Sequence, residues 1–297
     1  MKPSKAIRFI RRLPAGRPLA LRVWNRLLMH FAPRHHAQTY FGSVVSCDVR
    51  DMIQATIIHF GVWEPEISRA FELLVRPGDT VADVDANIGY YSLLSAKLVG
   101  EHGKVVSIEA HPRLAEAAQG NAQANGFSNI RVIQAAASDA DGLLQLFEAP
   151  RTNVGMTSTR PESGFAFLCD VPAKAFHAIL TPDEARSLSL IKIDIEGAEI
   201  PVLRAIFRHY GMFPKSPAII VEANVDQNPE WQTIFVDAIR SGLVAYDLHN
   251  DYGWARLMAG RFAQPTRLDK PPTRQTDILF IPGRRASQLA NLAPGSS

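Results

Sequence analysis

The stretch from Thr80 to Tyr91, Thr-Val-Ala-Asp-Val-Asp-Ala-Asn-Ile-Gly-Tyr-Tyr, limits what this chain can fold into more than any other. Thr80 to Val84 is a short β-type run. A polar, turn-forming cluster follows, and a helix-compatible run extends from Tyr91 to Leu98. Strand, tight turn and helix in that order make the nucleoside-binding corner of an open α/β sheet. Amide groups at such a helix start lack intrahelical partners and carry partial positive charge. The next β-type run, Lys104 to Ile108, ends in Glu109, 24 residues beyond Asp85. An acid roughly 20 residues past the turn accepts bonds from ribose hydroxyls. The pattern predicts an adenosine-containing cofactor, with Glu109 at its ribose. A dinucleotide site needs three glycines in the turn, and only Gly89 is present.

The rest of the chain repeats the same rhythm. A helix runs from Pro112 to its stop at Gly126, a strand from Ile130 to Ala135, and a buried-type strand from Leu188 to Ile193. A helix follows through Val202, Leu203, Ile206 and Phe207, then a strand from Ala218 to Val221. Asn228-Pro229 opens another helix, and Val244–Leu248 and Asp277–Ile281 are the last strands. Alternating strands and helices argue for an α/β fold with a mostly parallel, doubly wound sheet. Between the repeats, Leu143–Phe147 reads as an extra strand and Thr152–Gly164 as a polar loop. Ahead of them, Thr39–Val45 and Ile53–His59 read as short strands or an irregular lead-in. The tail after Pro282 is small and polar and is expected to fray.

Charge is uneven. Nine of the 32 Lys and Arg residues fall in residues 1–40, which hold no acid; the remainder carries 23 basic and 29 acidic residues. Leu19–Phe31 has the spacing of an amphipathic helix, with Arg22 and Arg26 together on one side. Two readings follow. The plainer one packs this helix on its own domain with a solvated basic face. The other gives residues 1–36 a weak affinity for anionic membrane. The predicted organisation is a basic extension over 1–37, a catalytic domain over 38–285 and a flexible tail over 286–297. No apolar run reaches the length of a membrane span, and two cysteines, Cys47 and Cys169, do not make a disulfide framework. A cytoplasmic protein, peripheral at the inner membrane face at most, is the expectation.

Taken in order, several segments resemble the FkbM-type family of S-adenosylmethionine-dependent methyltransferases. They are Gly61-Val62-Trp63-Glu64-Pro65, Arg76-Pro77-Gly78-Asp79, the turn Asp83–Tyr91, and Gly103–Pro112. Ile191-Lys192-Ile193-Asp194-Ile195-Glu196-Gly197-Ala198-Glu199 and Ile219–Glu222 complete the set. The resemblance spans about residues 40–285. It implies a Rossmann-like, seven-stranded sheet of the class I methyltransferase type, S-adenosylmethionine as cofactor, and methyl transfer to oxygen on a glycan or secondary metabolite. It also implies cofactor contacts from Glu64, Asp83, Asp85, Ala86, Asn87, Gly89, Tyr90, Glu109 and Ala136.

Asp85 departs from the family, which has glycine at this place. Aspartate tolerates left-handed dihedrals better than most residues, so the turn can still form. Its charge, at about 4 Å from the cofactor's carboxylate, would cost about 1 to 4 kcal/mol. Weakened cofactor binding is the expectation. Asp194 and Glu196, just past the fourth strand, are the catalytic candidates, since an acid there can accept the proton of a hydroxyl as the methyl group moves. Glu199 at a helix start needs no role beyond favouring that start. No metal is indicated; in a metal-dependent enzyme Asp194, Glu222 and Asn224 would be the ligands, with a divalent cation on oxygen. His59, His177 and His249 are further candidate bases that the sequence does not separate. A small-molecule or glycan acceptor is expected and nucleic acid is not. Two other functions compete: a catalytically impaired methyltransferase fold serving as a membrane- or partner-binding module, and a nicotinamide oxidoreductase, which the missing glycines disfavour.

Overall fold

The computed structural model of the chain describes residues 17–31, 33–148, 157–159, 164–195, 197–225, 228–249, 253–259 and 263–292. Its centre is an open sheet. The strands are β1 (Thr80–Val84), β2 (Lys104–Glu109), β3 (Ile130–Gln134), β4 (Leu188–Ile193), β5 (Ala218–Ala223), β6 (Leu243–Asp247), β7 (Thr266–Leu268) and β8 (Thr276–Pro282). They lie in the order β7-β6-β8-β5-β4-β1-β2-β3. The seven expected strands are all present, and β7 adds a three-residue edge strand paired with β6. β3, β2, β1, β4 and β5 are mutually parallel, and β8 runs antiparallel between β5 and β6.

Hydrophobicity explains the layering. Every residue of β1, β4 and β5 is buried, as parallel strands covered on both faces must be. Ala82, Val106, Ile191 and Ile219 point into one core with Val202, Leu203 and Ile206. Val81, Val105, Leu190 and Ile220 point into the other with Phe71, Leu93 and Leu94. Chain order reverses between β1 and β4. At such a switch point the connections leave in opposite directions, which opens a crevice at the carboxyl ends of the two strands.

Three regions differ from the sequence reading. Ile53–His59 is not a strand but most of a helix, Met52–Phe60. Its caps decide the matter: the Asp51 side chain accepts from Gln54 N–H, and Gly61 ends the helix at φ 72°. The lead-in strands are Arg34–Gln38 and Val44–Asp48, paired antiparallel. Asn121 and Asn125, one helical turn apart, hold the second of these by bonds to Ser46 N–H and to both backbone groups of Val44. Secondly, Ala166–Ala175, given no element in the sequence reading, is a ten-residue strand pairing antiparallel with Gly142–Glu148 and parallel with Ala136–Ser138. The proposed loop Thr152–Gly164 lies largely outside the described residues. Thirdly, Gly283–Leu292 does not fray. It forms 3₁₀ turns in which Leu289 is buried and Arg285 donates to the carbonyls of Ser189 and Leu74.

The helix predicted over Leu19–Phe31 is present as Arg17–Phe31. No helix among the described residues is long and apolar enough to cross a membrane.

Gly103 closes the connection into β2. A Cβ there would lie 2.3 Å from Val99 Cβ and 2.6 Å from the Asp79 carbonyl oxygen, which itself accepts from Lys104 N–H. Gly103→Ala is therefore expected to destabilise the protein by about 1–3 kcal/mol through overpacking. Urea unfolding measures this; an unchanged midpoint would refute the tight approach.

Candidate functional site

The turn after β1 is built from left-handed residues. Asp85, Asn87 and Gly89 take φ of 65°, 52° and 87°. Asp85 thus adopts the conformation that glycine would supply at lower cost. Gly89 is also a packing residue, because a Cβ on it would lie 3.3 Å from Ala118 of the helix Pro112–Ala124.

The turn amides do not behave as expected. Asp85 and Ala86 N–H both donate to the Ile108 carbonyl, at 2.9 and 3.0 Å. Asn87 N–H donates to Glu109 Oε2 at 2.7 Å, and Ile88 N–H to the Asn87 side-chain oxygen at 2.8 Å. Gly89 N–H donates to the Ala86 carbonyl. Every amide from 85 to 89 is thus used inside the protein, and none awaits an anion.

Glu109 has the central part in this arrangement. Its side chain is fully buried and takes a second amide bond, from His111 N–H to Oε1 at 2.7 Å. One carboxylate therefore ties the turn to the chain leaving β2. Burial pushes its pKa up to about 7, against the lowering effect of the two amide bonds. Glu109, which the sequence reading set at a ribose, lines neither of the cavities described below; its carboxylate meets the Asn87 and His111 amides.

A row of buried polar residues crosses the sheet beside the turn. Lys192 of β4, Asp83 of β1 and Ser107 of β2 occupy register positions next to one another. Ser92 Oγ, from the helix Tyr90–Val99, bonds Asp83 Oδ2 at 2.6 Å and Ser107 Oγ at 2.9 Å. Burial raises the Asp83 pKa, and its other oxygen has no partner among the described residues. The Lys192 ammonium is buried, 2.8 Å from Asp194 Oδ2 and 4.9 Å from the centre of the Tyr91 ring. Burial alone would lower the lysine's pKa, but Asp194, Glu64 and Asp83 around it leave it raised, so it stays charged. The Tyr91 hydroxyl donates to Glu64 Oε2 at 2.9 Å, which turns Glu64 into this network. Lys192 escaped the sequence reading because its strand reads as an apolar run; the Lys-x-Asp spacing was its signal.

Two cavities open at the carboxyl ends of β1 and β4. The larger, about 180 Å³, is apolar, lined by Ile108, Ala110, Ala135, Ala136, Ala137, Leu144 and Leu146 among others. The smaller, about 50 Å³, is lined by Ile53, Trp63, Ala86, Asn87, Ile88, Tyr90, Tyr91, Lys192 and Asp194. Asp85 borders both. The structure therefore brings Asp85, Ala86, Asn87, Tyr90, Ala136 and Asp194 to one place. Together the two spaces fall short of the roughly 300 Å³ at the low end of ligand sites. A ligand spanning both must displace the Asp85 carboxylate or the ribbon carrying Leu144 and Leu146. That ribbon is anchored at its end, where Glu148 pairs with Arg113 and lies 3.4 Å from His111 Nε2.

Of the remaining candidates, Glu196 is outside the described residues. Glu222 accepts from Gln275 Nε2 at 2.8 Å, Asn224 lines neither cavity, and no three His, Cys, Asp or Glu side chains among the described residues are gathered to hold a metal. None of the three histidines lines either of these two cavities. His59 is fully buried with Nε2 donating to Asn25 Oδ1, His177 stacks on His209, and His249 bonds Thr266 Oγ1.

Residues 83–248, more than half of the 297, match the family described as Methyltransferase FkbM domain. Protein-L-isoaspartate O-methyltransferase 2 of Archaeoglobus fulgidus is 32% identical over 127 residues, covering 42% of this chain and 56% of that protein. The protein-L-isoaspartate O-methyltransferase of Methanococcoides burtonii is 29% identical over 126 residues, covering 42% of this chain and 60% of its own length. The matches thus span less than two thirds of these relatives. The solved structure of methyltransferase FkbM from Methylobacillus flagellatus is 16% identical, with a TM-score of 0.40, over 72% of this chain and 50% of that one.

Glu109→Gln separates the two roles of this residue. A glutamine can accept only at its oxygen, so one of the two buried amides would face an NH₂ donor. We expect the ligand-free variant to lose about 1–3 kcal/mol of stability by urea unfolding. A residue serving only a ribose would leave ligand-free stability unchanged.

Proposed function

The chain belongs to the FkbM methyltransferase domain family, and from that premise we propose that it transfers a methyl group from S-adenosylmethionine to a hydroxyl of a small-molecule or glycan acceptor. The observation that carries this reading is the pair of cavities of opposite chemistry meeting at Asp85. The apolar one, walled by Ala110 and Ala135–Ala137, suits an adenine ring. The charged one suits an amino-acid end, with carboxylates for an ammonium and Lys192 for a carboxylate. The donor set therefore fits the cofactor, although the space must open to admit it.

When bound, the cofactor supplies an electrophilic methyl group on a sulfonium sulfur. The chain supplies alignment and a proton acceptor. Asp194 stands at the switch point with one oxygen held by Lys192, so its carboxylate is fixed in direction. In this reading it takes the proton of the acceptor hydroxyl. Lys192 is then a positioning residue. Tyr91 and Glu64 in turn fix the ammonium, since both lie within its buried network. That the relatives are named O-methyltransferases supports oxygen as the nucleophile. Their matches reach only 42% of this chain and do not name its acceptor.

Asp85 favours a second reading, a cofactor site weakened or retired. It borders both cavities, and its charge opposes that of a cofactor carboxylate. Calorimetry with S-adenosylmethionine and S-adenosylhomocysteine decides between them. We expect the natural protein to bind both, and Asp85→Gly to bind about tenfold more tightly or better. Binding by the glycine variant alone would mean a retired site; binding by neither would overturn the reading. In an active preparation, Asp194→Asn should cut turnover at saturating cofactor by about 10²–10⁴. Turnover unchanged by that substitution would remove Asp194 from the chemistry.

A further inference from the structure

We propose that the helix Arg17–Phe31 docks this protein on an anionic lipid bilayer. Val23, Leu27 and Phe31 recur every fourth residue and form one row along the helix; they are 51%, 46% and 76% exposed. Arg22, Arg26 and His30 recur at the same spacing one residue earlier and form the adjoining row, also exposed. The helix is held to its domain by another side. Asn25 Oδ1 accepts from His59 Nε2 at 2.8 Å, and Ala20 packs on the small cluster of Phe60, Val62 and Leu257. The helix thus packs on its own domain with a solvated basic face, as the plainer expectation has it, but part of its apolar side is left over. The domain takes one edge of the apolar side and leaves the Val23-Leu27-Phe31 row in water.

A row of apolar side chains beside a row of cations is the surface that an interfacial helix presents to lipid. The apolar row enters the acyl boundary while the arginines meet anionic headgroups. Charge complementarity selects this occupant. Residues 1–40 hold nine Lys or Arg and no acid, whereas the rest of the chain has 23 basic against 29 acidic residues. An anionic surface thus attracts this end of the molecule and repels the remainder, which sets the orientation. A nucleic acid would answer the arginines but leave valine, leucine and phenylalanine in water. A second copy would bring the same arginine row against itself across an isologous contact. The docked helix is one element away from the catalytic cleft, since His59 belongs to Met52–Phe60, whose Ile53 lines the smaller cavity.

The test is co-sedimentation of the full chain with phosphatidylcholine vesicles, with and without phosphatidylglycerol. We expect binding only to the vesicles containing phosphatidylglycerol, weakening as salt rises. Leu27→Glu with Phe31→Glu should reduce it roughly tenfold or more, from lost apolar burial. Arg22→Gln and Arg26→Gln should each reduce it about fivefold. All four positions are exposed, so the unfolding midpoint should stay that of the natural protein. Equal binding to both vesicle types, or undiminished binding by the Leu27–Phe31 double variant, would overturn the proposal. So would a dimer in sedimentation velocity that Phe31→Glu dissociates, or DNA binding without vesicle binding.

Discussion

One buried carboxylate holds the candidate site in shape. Glu109 receives the Asn87 amide on one oxygen and the His111 amide on the other. Together with the Ile108 carbonyl, which takes the Asp85 and Ala86 amides, it fastens the turn after β1 to the end of β2. Left-handed residues at 85, 87 and 89 are costly to hold in one conformation, and these bonds over-determine them. With the turn fixed, Asp85 stands at the boundary of both cavities and the helix Tyr90–Val99 starts where Ser92 can reach Asp83. A carboxylate buried this deeply is tolerated because two amides answer it.

The second constraint is the charge balance around Lys192. An ammonium taken out of water costs several kcal/mol unless it is matched. Here Asp194 lies in direct contact, Asp83 next along the sheet, and Glu64 and Tyr91 complete the surroundings. The match ties β1, β4 and the segment before the helix Pro65–Leu74 into one unit. Its outer member, Asp194, faces the smaller cavity at the switch point, so the residue read as the proton acceptor is also one that keeps the lysine buried. Structure and chemistry are coupled at that carboxylate.

Much of the fold was legible because the sheet is built from apolar runs separated by turn residues. All seven main strands were placed within a few residues by that signal alone. Failures came where local pattern and global context part. Ile53–His59 alternates like a strand, yet Asp51 and Gly61 cap it as a helix. The strand Ala166–Ala175 opens on a short apolar run, Ala166–Cys169, but Asp170, Pro172 and Lys174 break its second half, which is held by Gly142–Glu148 and Ala136–Ser138 on either side. The tail after Pro282 looks polar, but Arg285 finds two carbonyls distant in sequence. Of the site, Asp85, Ala86, Asn87, Tyr90 and Ala136, named through the family resemblance, and Asp194, named from its place past a strand end, all line the two cavities. Glu109 was readable from its place at a strand end, but the two amide bonds its carboxylate takes were not, because their donors become its neighbours only in the folded turn. Lys192 was missed because it sits in an apolar run, where the Lys-x-Asp spacing that signals it gains weight only beside Asp83 and Glu64 of other elements.

On the reading proposed above, the two cavities flanking Asp85 are the halves of one cofactor site. The decisive measurement is a crystal structure of the protein with S-adenosylhomocysteine. The purine is expected among Ala110, Ala136, Leu144 and Leu146, the amino-acid end beside Asp194 and Lys192, and the Asp85 side chain displaced from its present place. The ligand found elsewhere, or these cavities unchanged and empty at saturating ligand, would contradict that reading.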